Sequence, residues 1–298
     1  MEISEKNGNQ EMLFNKKEKF LLRISSVTDL SVPSVVMDQI FPILNGDEFP
    51  EDFGNSKLMH DPSIVAYFLK QLYEEEANRE TLYSGMEDIF RHMTKEEMYN
   101  HLSELSLMEL FGPVEIEEWK HAYSSHLLMH VLVTENGFHQ LRYLVPLMLV
   151  HDIGKQVLHS IVPEISREIV ELAQKQKLPR SIAENQLLEL THAEAGARLL
   201  KEWHFPPRFY LPVKYHHSIE IPMEYILETA LIQFVNWVDC NVRGIPAQPL
   251  DRKTMELAGI EEIDTEYWIR RHRKIVAEID HYFEPEGIMN KTKTEEKP

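Results

Sequence analysis

Apolar residues recur at three- and four-residue intervals through nearly the whole chain, and the strict alternation of a half-buried strand is scarce. That periodicity confines the sequence to an all-α fold. In VPSVVMDQIFPILNG, residues Val32, Val35, Val36, Ile40, Ile43 and Leu44 share a helical face, and Gly46 stands where a left-handed C-terminal cap belongs. In MHDPSIVAYFLKQLYEEE, Asp61 is placed to cap a helix and Pro62 to open it. Further helices are expected at about 84–93, 95–108 and 115–136, and a short one over VPEISREIVELAQKQK. Within ENQLLELTHAEAGARLLKEWHF, Thr191 and Glu194 have the spacing of a capping box, which makes His192 the first helical residue. PMEYILETALIQFVNWVDCNVRG and DTEYWIRRHRKIVAEIDHYF complete the helical set.

Composition narrows the function. With 298 residues, 43% of them hydrophobic, the chain can bury a substantial core. A net charge of −18 argues against binding a nucleic-acid backbone, which needs cationic surface to displace counterions. Cys240 is the single cysteine, so no intramolecular disulfide forms. The polar, acidic MEISEKNGNQEMLF is unlike a secretory signal, and the longest apolar run, 144–150, is too short to span a bilayer. A soluble cytoplasmic protein without membrane association is the expectation, with solvated tails over 1–16 and 285–298 and no internal repeat.

The chemistry gathers in LVPLMLVHDIGKQVL, where an apolar run ends in His151, Asp152, Gly154 and Lys155. The carbonyl end of a buried helical segment favours a cation, and Gly154 is expected to let the chain turn there. Imidazole nitrogen beside carboxylate oxygen suits zinc, iron, manganese or nickel better than calcium. Lys155, a turn away, would place an ammonium near phosphate oxygens. Two adjacent residues do not complete a coordination shell. His121 in EWKHAYSSH and Asp239 in QFVNWVDCNVRG are candidates to extend it, the latter because a carboxylate on an otherwise apolar helix needs a partner. His192, His216 and His217 fall in the same part of the chain.

These motifs carry a resemblance. HDIGK, preceded by a histidine on an earlier helix and followed by an aspartate on a later one, is similar to the HD superfamily of metal-dependent phosphohydrolases. LSVPSVVMDQIFPILNGD, LMHDPSIVAYFL, EEWKHAYSSH, LVPLMLVHDIGKQVLHSIVPE, ELTHAEAGARLLKEWHFP and VKYHH follow the order and spacing of the HDOD family of regulatory HD-related proteins, over about residues 30–244. The resemblance implies an HD-like helical core over 115–284, with an N-terminal helical subdomain over 17–114. It implies that His121, His151, Asp152 and Asp239 match the superfamily's metal-binding tetrad. His192, His216 and His217 match histidines that, in the related HD-GYP phosphodiesterases, complete a second metal centre bridged by the aspartate. One or two divalent ions (Fe, Mn, Zn or Ni) are therefore expected.

Two functions follow from the resemblance. One is a signalling or regulatory module with a signalling protein as partner, its metal site retained. The other is a phosphohydrolase acting on a nucleotide or another small phosphoester, with Asp152 and Lys155 as catalytic residues and a metal-acidified water as nucleophile. Past the paired histidines the chain reads HHSIEIPMEY, without the Gly-Tyr-Pro segment of the HD-GYP enzymes. The remaining features have structural explanations. RRHRK, 270–274, is expected to be a solvated helix face, His126, His130, His139 and His159 to be structural or at most to support the ligands from behind, Glu194 to be a cap, and Cys240 to be buried.

Overall fold

The computed structural model describes residues 16–27, 61–107 and 116–283. Among them are α-helices and short 3₁₀ turns and no strand, in agreement with the periodicity. The helix expected over 32–44, its Gly46 cap, the subdomain boundary near 114 and both expected tails up to residue 15 and from residue 285 lie outside the described residues.

The N-terminal part holds α1 (Lys16–Ile24), α2 (Pro62–Glu74), α3 (Met86–Arg91) and α4 (Lys95–Leu107). Helix α2 starts as its sequence dictates. Asp61 Oδ1 accepts from the backbone N–H groups of Ser63 at 2.9 Å and Ile64 at 3.1 Å, and Pro62 occupies a position whose N–H would have no helical partner. The other Asp61 oxygen accepts from Trp119 Nε1 at 2.7 Å, which ties the start of α2 to α5 (Ile116–Glu135).

Helix α6 (Leu144–Val150) runs through the centre, and all seven of its residues are buried. A helix apolar on every side must be covered on every side, and α2 and α5 pack against it. Each of its Leu, Val and Met side chains contributes about 1.5–3 kcal/mol on burial. His151 and Asp152 then turn the chain into α7 (Ile153–Ile161) with φ −60°, ψ −31° and φ −99°, ψ 11°. Neither conformation calls for glycine.

Gly154 therefore does not make the turn expected of it. It lies inside α7, where an added Cβ would stand 1.9 Å from the carbonyl oxygen of His192 and 2.6 Å from the backbone nitrogen of Gly196. Both belong to α10 (His192–Glu202). The glycine is there so that α7 and α10 can cross backbone to backbone, which brings Asp152 up to His192.

Helix α10 opens with the expected capping box. Thr191 accepts from the Glu194 N–H, and the Glu194 carboxylate accepts from the Thr191 N–H. The rest of the chain forms α8 (Pro163–Gln176), α9 (Arg180–Leu188), α11 (Pro207–Tyr215), α12 (Ile226–Arg243), α13 (Arg252–Ala258) and α14 (Thr265–Phe283). Helix α12 ends at Gly244, whose φ of 70° is the left-handed cap expected after a long helix. Helices α12 and α14 both pack on α5, and α1 packs on α7 and α10. No helix among the described residues is long and apolar enough to cross a membrane.

Candidate metal centre

Side chains from five places in the chain converge on Asp152, which stands between α6 and α7 with its side chain 12% exposed. On one side, Asp152 Oδ2 lies 3.3 Å from His121 Nε2 on α5 and 3.5 Å from His151 Nε2 at the end of α6. On the other, Asp152 Oδ1 lies 3.1 Å from His192 Nε2, the first residue of α10, and 3.4 Å from His216 Nε2 just past α11. His217 Nε2 is 3.0 Å from His192 Nε2. The ligand atoms of His121, His151 and Asp152 lie within 4.8 Å of one another, and so do those of Asp152, His192, His216 and His217.

Hydrogen bonds behind the rings decide which nitrogen faces inward. His151 Nδ1 donates to the Met148 carbonyl at 2.7 Å, and His216 Nδ1 to the Val213 carbonyl at 2.6 Å. A carbonyl only accepts, so Nδ1 carries the hydrogen and Nε2 of the neutral ring presents a lone pair. Burial holds His151 neutral by lowering its pKa to about 3, against the pull of the Asp152 charge. Burial likewise lowers His216. His121 differs, because burial opposes its charge but Asp239 and Asp152 outweigh it and raise it to about 9. His192 is also raised: burial opposes its charge, but Glu184 and Asp152 outweigh it.

The consequence is that two acceptors face one another, Asp152 Oδ1 and Nε2 of the neutral His216 ring, with His192 Nε2 3.1 Å from the same oxygen. Asp152 Oδ1 and His216 Nε2 are both buried, 3.4 Å apart, and neither makes a hydrogen bond. Bare lone pairs so arranged are costly unless a cation stands among them. The donor set, imidazole nitrogens around one carboxylate, suits zinc, iron, manganese or nickel.

Two expected residues are placed differently from the sequence expectation. Asp239, expected as a direct ligand, stands behind His121 instead. It accepts from His121 Nδ1 at 2.6 Å, Arg243 Nε at 3.0 Å, His272 Nε2 at 2.6 Å and the Ser124 hydroxyl. Its need for a partner is met by these four donors, and it belongs to neither ligand group. Lys155, expected to wait for phosphate, has its Nζ on Asp152 Oδ2 at 2.5 Å.

Three contributors were not visible beforehand. His272 lies in the RRHRK run expected to face solvent, yet it is fully buried. It continues the buried stripe Trp268, Val276, Ile279 at helical spacing, and that spacing was the available signal. Arg243 reads as an ordinary basic residue at a helix end. Glu184, fully buried on α9, accepts from His192 Nδ1 at 2.6 Å and from the His192 N–H at 2.7 Å. Neither ligand group includes the other residues set aside in the sequence. His126 is buried and donates to the Val145 carbonyl, Cys240 is buried, and His130, His139 and His159 are exposed.

The fold is all-helical among the described residues, and it gathers histidines around the aspartate of a His-Asp pair. The HDOD domain model matches residues 112–219, a span containing His121, His151, Asp152, Lys155, His192, His216 and His217. Over that span the chain is similar to the HDOD domain. Among solved structures, the MmoQ response regulator of Methylococcus capsulatus str. Bath is similar over 82% of this chain and 98% of its own, with a TM-score of 0.63 and 16% identity. A virulence factor of Campylobacter jejuni is similar over 89% and 97%, with a TM-score of 0.62 and 12% identity. At these identities the likeness is one of fold. An uncharacterized protein of Treponema pallidum (strain Nichols) is 25% identical over 124 residues, 41% of this chain and 24% of the relative's length.

Proposed function

We propose that this protein is a regulatory HDOD module built around a divalent metal centre. The observation that carries the metal is the pair of buried, unbonded acceptors, Asp152 Oδ1 and His216 Nε2, within a shell of imidazoles. His121, His151 and Asp152 Oδ2 would hold one ion, and Asp152 Oδ1, His192, His216 and His217 a second, with Asp152 as the bridge. The regulatory role is supported by the likeness to the HDOD domain and by the fold shared with a protein described as a response regulator. Its partner in this reading is a signalling protein.

Elemental analysis of untagged protein grown with manganese, iron, zinc and nickel tests the centre. One or two equivalents are expected. Folded protein that retains no metal and takes up none on titration would sink the proposal.

A second reading, hydrolysis of a nucleotide or other small phosphoester, is favoured by one observation: a lysine ammonium stands 2.5 Å from the Asp152 carboxylate that would be shared between the ions. An ion bound here supplies Lewis acidity and lowers the pKa of coordinated water toward neutrality. Lys155 would leave Asp152 to meet a non-bridging phosphate oxygen, orienting it and balancing its charge. A phosphoester panel run on loaded protein separates the two readings, since turnover lost in Lys155→Met with metal content unchanged favours the enzyme. No turnover on any phosphoester, with metal bound, leaves the regulatory reading.

A further inference from the structure

The histidines of the cluster are braced in two ways. His151 and His216 lean on backbone carbonyls three residues earlier, which their own helices provide. His192 has no such carbonyl, because it is the first residue of α10. Its ring and its main chain are held instead by one side chain from another helix. Glu184 Oε2 accepts from both His192 N–H and His192 Nδ1.

The carboxylate is itself anchored. Glu184 Oε1 accepts from Arg180 Nε at 3.1 Å, and Arg180 Nη1 pairs with Glu118 on α5. Glu118 lies one turn before His121, so a chain of charge, partly buried at Glu118 and Arg180 and fully buried at Glu184, runs from the helix carrying His121 to the ring of His192. A fully buried glutamate is costly without such partners, and capping α10 does not require it, since Thr191 and Glu194 already form the capping box.

We propose that Glu184 is a positioning residue. It fixes the His192 ring with the hydrogen on Nδ1 and the Nε2 lone pair aimed at Asp152 Oδ1, and Arg180 and Glu118 register that ring against α5. The effect on metal affinity rests on the metal centre proposed above, whereas the effect on the ring does not.

The test uses full-length metal-free protein with ¹⁵N-labelled histidine, read by NMR above the pH at which the His192 ring loses its second proton. Wild type and Glu184→Gln should show the Nδ1–H form, because the amide oxygen still accepts from both donors. Glu184→Ala should show the Nε2–H form, with the hydrogen turned toward Asp152. Titration with Zn²⁺ or Mn²⁺ should then find one equivalent weakened about 10- to 100-fold in Glu184→Ala and little changed in Glu184→Gln. A folded Glu184→Ala that keeps the wild-type tautomer overturns the proposal. If Glu184→Ala does not fold, Glu184→Gln decides: an Nε2–H ring with wild-type metal affinity overturns it, and an Nδ1–H ring with wild-type affinity supports it. Wild type that binds no metal defeats the metal centre alone, and the tautomer comparison still judges Glu184.

Discussion

The two halves of the cluster share Asp152 but are closed to different degrees. Behind His121, Asp239 is fully buried and accepts from four donors on α5, α12 and α14. Arg243, only 5% exposed, adds bonds to the Lys120 carbonyl and the Ser124 hydroxyl. Behind His192, Glu184 accepts directly from α9 and α10 and reaches α5 only through Arg180. His217 is half-buried, and no hydrogen bond to its Nδ1 is found among the described residues. The first half is thus a braced part of the core, and the second opens at His217 toward Gln233, Asn236, Trp237 and Gln248. A ligand from solvent or from a partner would meet the second half first.

Asp152 is the one residue whose loss should erase this contrast. In Asp152→Ala both halves lose their shared oxygen ligand, so metal analysis should fall from the wild-type content to none. His151→Ala and His192→Ala should each remove one equivalent. If Asp152→Ala retained a full equivalent in either half, that half would not depend on the bridge and the shared-carboxylate arrangement would be wrong.

Removing the brace of the closed half should have the next largest effect. Asp239→Ala takes the nearer carboxylate from Arg243, leaving it Asp280 at 3.6 Å, and strips His121, His272 and Ser124 of their shared acceptor. The loss should approach that of broken buried pairs, about 3–5 kcal/mol. Urea unfolding of metal-free protein measures it. His272→Ala should cost less, about 1–3 kcal/mol, since one acceptor bond to a charged group is lost. An Asp239→Ala protein as stable as wild type would show that the closed half is not braced in this way.

Gly154→Ala strikes between the halves. The added methyl meets the backbone of α10 at distances no side-chain rotation relieves, and overpacking of this kind costs about 1–3 kcal/mol. Because the displacement separates Asp152 from His192, binding in the open half should weaken more than in the closed half. Equal loss from both on calorimetric titration would mean that the α7–α10 crossing does not set the Asp152–His192 distance.

These contrasts explain what the sequence disclosed and what it concealed. Asp61 with Pro62, and Thr191 with Glu194, announce helix starts because capping chemistry is local. The long helices α5, α12 and α14 are legible from their periodicity. Helix α9 is not, because it has nine residues, no side-chain cap, and a left-handed C-cap made by Glu189 at φ 56° where glycine would have signalled the end. Helix α11 is masked by Pro212 inside it, which reads as a breaker. The candidate ligands were recognisable as residue types in a familiar order. Their supports were not, since His272, Arg243 and Glu184 are defined by what they touch across the fold. Asp239 shows the limit most clearly: its need for a partner was legible, but the partner's identity depended on three helices meeting.

The closed half has one more tie that the open half lacks, and it should respond to pH. Trp119, two residues before His121, donates to Asp61, and burial raises the Asp61 carboxyl from 3.8 to about 6 although Ile64, Trp119 and Ser63 donate to it. The folded protein then binds a proton at this group more tightly than the unfolded chain does. Its contribution to stability is complete below about pH 4 and is lost as pH rises through about 6. The full span corresponds to at most about 3 kcal/mol. Asp61→Asn removes the titration while keeping an oxygen for Ser63 and Ile64, though its amide now faces the Trp119 N–H at a cost that does not vary with pH. The measurement is the difference in urea-unfolding free energy between wild type and Asp61→Asn from pH 4 to 7. The wild-type advantage should shrink steadily across that window, whereas parallel curves would show that Asp61 is ionised throughout and that this tie carries no proton.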